Sequence, residues 1–197
     1  MVGRRKHPRA DVYTNVADSE LGSDDLDEAA SRFVAGDASA FQFIVENTID
    51  ALVRLGARMM GSVSDGEDVV QEAYLKAYRG LAEGRFDQRA RLRTWLGRIV
   101  VNTAIDALRA RKRAPLASRD LLESPDASAS AETRVALAEL DAWLDGLPPD
   151  QRAAIVLKSI EGYTSAEVAE ILECSEGAVE QRLVRARANL RNKGSLS

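Results

Sequence analysis

The chain has 197 residues, 45% hydrophobic and 29% charged, with a formal net charge of −4, a make-up that excludes a disordered chain and suits modest apolar cores. Its one cysteine, Cys174, and one histidine, His7, exclude an internal disulfide, a cysteine zinc cage and histidine-based nucleophile systems, so neither a cofactor nor a metal site is expected. No run approaches the roughly 20 apolar residues that span a bilayer, and the opening MVGRRKHPRADVY lacks a secretory apolar core, so no membrane insertion and a cytoplasmic location are expected.

Apolar residues recur at three- and four-residue spacing with no sustained alternation, which predicts an all-α fold. Residues 1–24 are polar and aperiodic, and a mobile tail is expected there. Leu26, Ala29, Ala30, Phe33 and Val34 then form an amphipathic stretch closed by Gly36. Asp37 is placed to cap a long helix with Phe41, Ile44, Val45, Thr48, Leu52 and Leu55 inward, ending before Gly61. Ser64 and Glu67 have the spacing of a capping box, opening a third helix that runs to Gly80. Leu81–Arg89 reads as a loop, and a fourth helix covers about Arg91–Arg113 with Leu92, Leu96, Ile99, Val100, Thr103 and Ala107 on its inner stripe. Between them, Trp95 could be a stacking wedge, but its neighbours favour a core position.

The pattern breaks at APLASRDLLESPDASASA, residues 114–131, whose Pro, Ser and Asp content predicts a flexible linker between two small helical domains, 25–113 and 132–193. In the second domain, helices are expected at about Glu132–Asp145, Pro149–Ile160, Ser165–Leu172 and Glu176–Arg191. Thr164 and Glu167 form another capping box, and Ser175 is placed to cap the last helix, whose Val179, Leu183, Ala186 and Leu190 face inward. Two short helices joined by about three residues outline a helix-turn-helix, which lays its second helix in a DNA major groove; an ordinary helical hairpin has the same outline.

Charge distribution favours the first of these. Residues 85–113 hold nine basic side chains against two acids, and residues 182–193 hold five against none. Segregated in an acidic chain, the two blocks can steer two separate surfaces toward polyanion, although solvated helix faces are the plainer explanation of either block alone.

These blocks resemble a known family. LPPDQRAAIVLKSIEGYTSAEVAEILECSEGAVEQRLVRARANLR (Leu147–Arg191) resembles region 4 of the extracytoplasmic function (ECF) sigma factors of bacterial RNA polymerase, and SVSDGEDVVQEAYLKAYRGL (Ser62–Leu81) with RLRTWLGRIVVNTAIDALRARKR (Arg91–Arg113) resembles region 2. Together they cover most of the chain, in family order across a linker.

The resemblance implies promoter recognition, DNA melting and transcription initiation, with no catalysis by the chain itself. Asp65, Glu67, Asp68, Gln71 and Glu72 match the acidic run that docks on the largest subunit of core polymerase; an acidic helix start or a carboxylate metal cage would use the same residue types. Arg85, Arg89, Arg91, Arg93, Arg98, Asn102 and Arg109 match the part that captures the melted minus-ten element. Ser175, Glu180, Gln181, Arg182, Val184, Arg185 and Arg187 match the helix that reads the duplex minus-thirty-five element. The implied partners are core RNA polymerase, through its largest and second-largest subunits, promoter DNA, and an anti-sigma protein that holds a free monomer inactive until a stress or envelope signal arrives. The competing possibility is a stand-alone helix-turn-helix regulator that binds a palindrome as a dimer. Two residues depart from the family pattern. Glu173 stands where glycine is common in the turn, and Glu180 stands where a base is frequent, which points to a different base preference.

Overall fold

In the computed structural model the described residues are 23–113, 130–144 and 146–194. They form helices α1 (Ser23–Val34), α2 (Ser39–Met60), α3 (Val63–Ala82), α4 (Leu92–Arg113), α5 (Ala131–Leu144), α6 (Pro149–Ile155), α7 (Ser165–Ile171) and α8 (Glu176–Gly194), and no strand occurs among them. The expected linker, with Leu121 and Leu122, lies outside the described residues but for its last two, 130 and 131, as does the expected tail up to residue 22. Helix α1 begins at Ser23, slightly inside the stretch read as tail.

The first four helices share an apolar core. Leu26, Ala29, Ala30 and Phe33 of α1 are buried, as are Ile44, Leu52 and Leu55 of α2 and Val69, Val70, Ala73 and Ala77 of α3. Phe33, Phe41 and Tyr78 meet edge-on or tilted at centroid distances of 5.0–5.5 Å, a geometry favoured by the ring quadrupole. Val34, expected on the apolar stripe of α1, is 57% exposed. Asp37 Oδ1 accepts from the backbone N–H of Ser39 at 3.1 Å, so Asp37 serves the start of α2 although the helix opens two residues later. The cap of α3 differs from expectation. Ser62 is the N-cap, and its hydroxyl accepts from the Asp65 backbone N–H at 3.2 Å; Ser64 and Glu67 already lie inside the helix.

Trp95 is 6% exposed, with its ring centroid 5.3 Å from that of Phe86. It is a core residue of α4, not a wedge presented to a ligand.

Leu144 at the end of α5, Leu147, and Ile155, Leu157, Val168, Ile171, Val179, Leu183 and Ala186 of the segment from α6 to α8 are buried too, in an apolar cluster continuous with that of the first four helices. The helix expected over 149–160 is α-helical only to Ile155 and continues as a π-helical turn over Val156–Ile160. Such a bulge rotates the faces that follow it. Here it carries Glu161 and Tyr163 toward the first domain.

Candidate functional site

Three surfaces carry the expected functional residues. On α3, Glu67, Asp68, Gln71 and Glu72 are exposed, and Asp65 is half-buried beside Arg111, 3.6 Å away. Glu67, Asp68 and Gln71 line a groove whose other wall is Ile49, Asp50, Val53 and Arg54 of α2. Tyr74 sits at its floor, its hydroxyl 2.7 Å from the Thr48 hydroxyl. Burial pushes the Tyr74 phenol up to about 12 against the opposing effect of the Thr48 hydrogen bond.

The same edge of α3 continues into apolar residues absent from the sequence reading. Asp68, Gln71, Leu75 and Tyr78 follow at three- and four-residue spacing, and Leu75 and Tyr78 are 58% and 46% exposed. Their signal was available: they fall outside the 69, 70, 73, 77 stripe that fills the core.

The second surface is the loop before α4 and α4 itself. Arg85 pairs with Glu83 at 2.7 Å and Arg89 with Asp87 at 3.2 Å. Arg91 bridges Asp24 and Asp27 of α1, which raise its already high pKa, chiefly through the Asp24 hydrogen bond. The other oxygen of Asp27 accepts from the Leu92 backbone N–H at 2.7 Å and so caps α4. Gln88, at φ +59°, donates to the Ser31 hydroxyl at 3.0 Å. Asn102 is exposed. Further along, Arg98 lies 3.2 Å from Glu173 and Arg109 lies 2.9 Å from Asp150, both acids of the second domain. Glu173 and Asp150 are the partners that the sequence reading missed, because they stand far along the chain from Arg98 and Arg109.

The third surface is the helix-turn-helix. The Thr164–Glu167 capping box is present with both of its bonds, and the Ser175 hydroxyl accepts from the Ala178 backbone N–H at 3.2 Å. Glu173 holds the turn at φ +48°, so this position uses the left-handed conformation with a side chain that tolerates it at some cost. Val179, Leu183, Ala186 and Leu190 are buried, which leaves Gln181, Val184, Arg185 and Arg187 exposed on the outer face of α8. Glu180 and Arg182 are less free: Glu180 accepts from the Ser165 hydroxyl at 2.8 Å, and Arg182 donates to the Cys174 sulfur at 3.1 Å.

Among the described residues no group of His, Cys, Asp and Glu is placed to hold a metal ion, and no helix is long and apolar enough to cross a membrane.

A helical bundle with a basic fourth helix, followed by a helix-turn-helix, defines a two-part nucleic-acid-binding protein. Residues 44–114 match the family described as Sigma-70 region 2, and residues 137–190 match Sigma-70, region 4. The chain is 38% identical over 164 residues to the ECF RNA polymerase sigma factor SigM of Mycobacterium tuberculosis (strain ATCC 25618 / H37Rv), covering 83% of this chain and 81% of that one. It is 35% identical over 179 residues to the ECF RNA polymerase sigma-E factor of Escherichia coli (strain K12), covering 82% and 90% respectively. Its fold is similar to that of CnrH, solved in complex with the cytosolic domain of CnrY, with a TM-score of 0.65 and 28% identity over 89% of this chain and 99% of that one. It is also similar to the sigma factor RpoE from Bartonella quintana, solved with the anti-sigma factor NepR, with a TM-score of 0.55 and 25% identity over 77% and 94%. The chain belongs to the ECF sigma factors of RNA polymerase.

Proposed function

We propose that the exposed acidic edge of α3 docks the chain on core polymerase, α4 and its preceding loop hold the melted minus-ten element, and α8 reads the minus-thirty-five duplex. The observation that carries this is the separation of one acidic and two basic surfaces onto three different helices of one chain. An acidic face suits a basic partner and contributes orientation and association rate. Leu75 and Tyr78 beside it supply the apolar contact that acids lack. On α8, Arg185 and Arg187 are positioned for phosphate or guanine, Gln181 for adenine and Val184 for a thymine methyl.

Melting requires that α4 and its loop bind unpaired strand better than duplex, because equal affinity for both shifts nothing. The two DNA contacts, each weak alone, act together through effective concentration across the linker. The chain works in the cytoplasm without catalytic chemistry of its own, and an anti-sigma protein covering its binding surfaces holds it inactive before a stress signal, as the partner-bound solved relatives suggest.

Electrophoretic mobility shift on a promoter fragment tests the reading. Weak binding by the chain alone and tight binding with core polymerase are expected; nanomolar, sequence-specific binding to a palindrome without core would contradict it and favour a stand-alone regulator.

A further inference from the structure

Past its first residue, Glu176, helix α8 carries one acid, Glu180, among Arg182, Arg185, Arg187, Arg191 and Lys193. Helix neighbours pair at three- and four-residue spacing, and around Glu180 those positions hold Glu176, Gly177, Leu183 and Val184, none of them basic. Its carboxylate is met instead from the other helix of the pair: the Ser165 hydroxyl, at the start of α7, donates to Glu180 Oε1 at 2.8 Å. Buried Val168, Ile171, Val179 and Leu183 already hold α7 against α8, so what this bond fixes is the direction of one side chain.

Glu180 is exposed and lies in the early part of the helix, which a helix-turn-helix brings to base edges. Val184, four residues on along the same face, is 61% exposed, and Gly177, three residues before, has no side chain to cover the carboxylate. An acid so placed repels phosphates whatever the sequence, and only a donor on a base edge offsets that cost.

We infer that Glu180, aimed by Ser165, reads a cytosine of the upstream promoter duplex through that base's N4 amine. The inference rests on the promoter-reading role of α8 proposed above and deepens it by naming a base. In the major groove guanine shows two acceptors, thymine an acceptor and a methyl, and adenine a donor beside its N7 acceptor, whereas cytosine shows a donor alone. A carboxylate can only accept, so cytosine is the base that it meets without an opposing acceptor. Ser165 takes one oxygen and leaves Oε2 for the base. Holding the side chain in place beforehand lowers the cost of ordering it in the complex, which makes Ser165 a positioning residue.

Binding selection tests this, with holoenzyme assembled from the full chain and core polymerase, on duplex promoter DNA randomised over the upstream element. Wild type should enrich cytosine at one position by at least about tenfold over the other bases. Glu180→Ala should flatten that position and leave the others as they are, and Glu180→Gln should move its preference to adenine, which glutamine contacts at N6 and N7. Ser165→Ala should weaken the cytosine preference about threefold without changing the base or the thermal unfolding of the chain, and Ser165→Thr, which keeps the hydroxyl, should restore it. Glu170→Gln, which removes an exposed acid of α7, is the control and should leave the preference at every position unchanged. All these side chains are exposed or half-buried, so the variants fold, as circular dichroism will show. A wild-type profile without such a cytosine, a profile unchanged by Glu180→Ala, or a gain in affinity spread evenly over all sequences overturns the inference; a Ser165→Ala profile equal to wild type removes Ser165 from it. Preference at other upstream positions would then leave the reading role of α8 standing, whereas no preference anywhere upstream would remove that role as well.

Discussion

Gly56 of α2 and Gly66 of α3 meet backbone to backbone: a Cβ on Gly56 would stand 2.8 Å from the Gly66 carbonyl oxygen, and one on Gly66 would stand 2.4 Å from the Ala57 nitrogen. Main-chain atoms cannot rotate away as a side chain does, so the two helices approach this closely only where both residues lack a side chain. The contact lies one residue from Asp65 and Glu67, and it sets the angle at which α3 presents its acidic edge. Gly66→Ala should therefore lower stability by about 1–3 kcal/mol, the usual cost of overpacking, and also weaken polymerase docking. Thermal unfolding checks the first effect and a core-binding titration the second.

Docking itself is addressed by the double variant Asp65→Asn, Asp68→Asn. Asp68 is exposed, and the Asp65 carboxylate lies 3.6 Å from Arg111 in a partly exposed pair, a kind that contributes little to stability. The expected result is a retained helical circular dichroism spectrum with core affinity reduced at least about tenfold, or ~1.4 kcal/mol. Unchanged affinity would remove the acidic edge from the interface.

Trp95 separates packing from strand capture. Its ring fills the space against Phe86 and over Gly80, where a Cβ would meet the indole at 3.0 Å. Trp95→Ala should cost about 3–5 kcal/mol as a large-to-small core change. Trp95→Leu, which fills part of the space without an aromatic face, should cost less and keep affinity for single-stranded minus-ten DNA, which the loss of a stacking wedge would not.

Much of this was legible in the residues. The 3.6-residue periodicity located the eight α-helices of the described residues, and the Thr164–Glu167 and Ser175 caps stand where the spacing puts them because capping is a local interaction of three or four residues. Ser62 was missed as the α3 cap because Ser64 and Glu67 fit the same spacing two residues on, and only the tertiary position of the chain decides between them. The π-helical turn at Val156–Ile160 left no periodic signal over so short a span. The pairs Arg98–Glu173, Arg109–Asp150 and Arg58–Glu161 depend on how two domains pack, which no local pattern encodes.

The capping box gives a local stability test in the second domain. Thr164→Ala removes the oxygen that accepts from the Glu167 N–H at 3.2 Å, at an expected cost of about 1 kcal/mol. The unfolding midpoint should fall by a few degrees, with the loss confined to 146–194 in hydrogen exchange.

Alkaline pH should act through Tyr74 and Tyr163, both pushed up to about 12 by burial. A phenol whose folded pKa is raised keeps its proton longer in the native state, so its stabilising effect is complete below the ordinary value near 10 and disappears as pH rises through about 12. Chemical denaturation at pH 9 and 11.5 should show lower stability at the higher pH, and Tyr74→Phe should flatten part of that slope.

The account turns on one chain directing polymerase to a promoter through two separate DNA surfaces. Run-off transcription with purified core enzyme across a library randomised at both promoter elements measures this directly. Initiation that appears only when the chain is added, with enriched sequences at both elements and sequence preference upstream altered by Gln181→Ala or Arg185→Ala, is the predicted result. Initiation unchanged by the chain on every template, with the protein shown to be folded and free of any inhibitor, would contradict it.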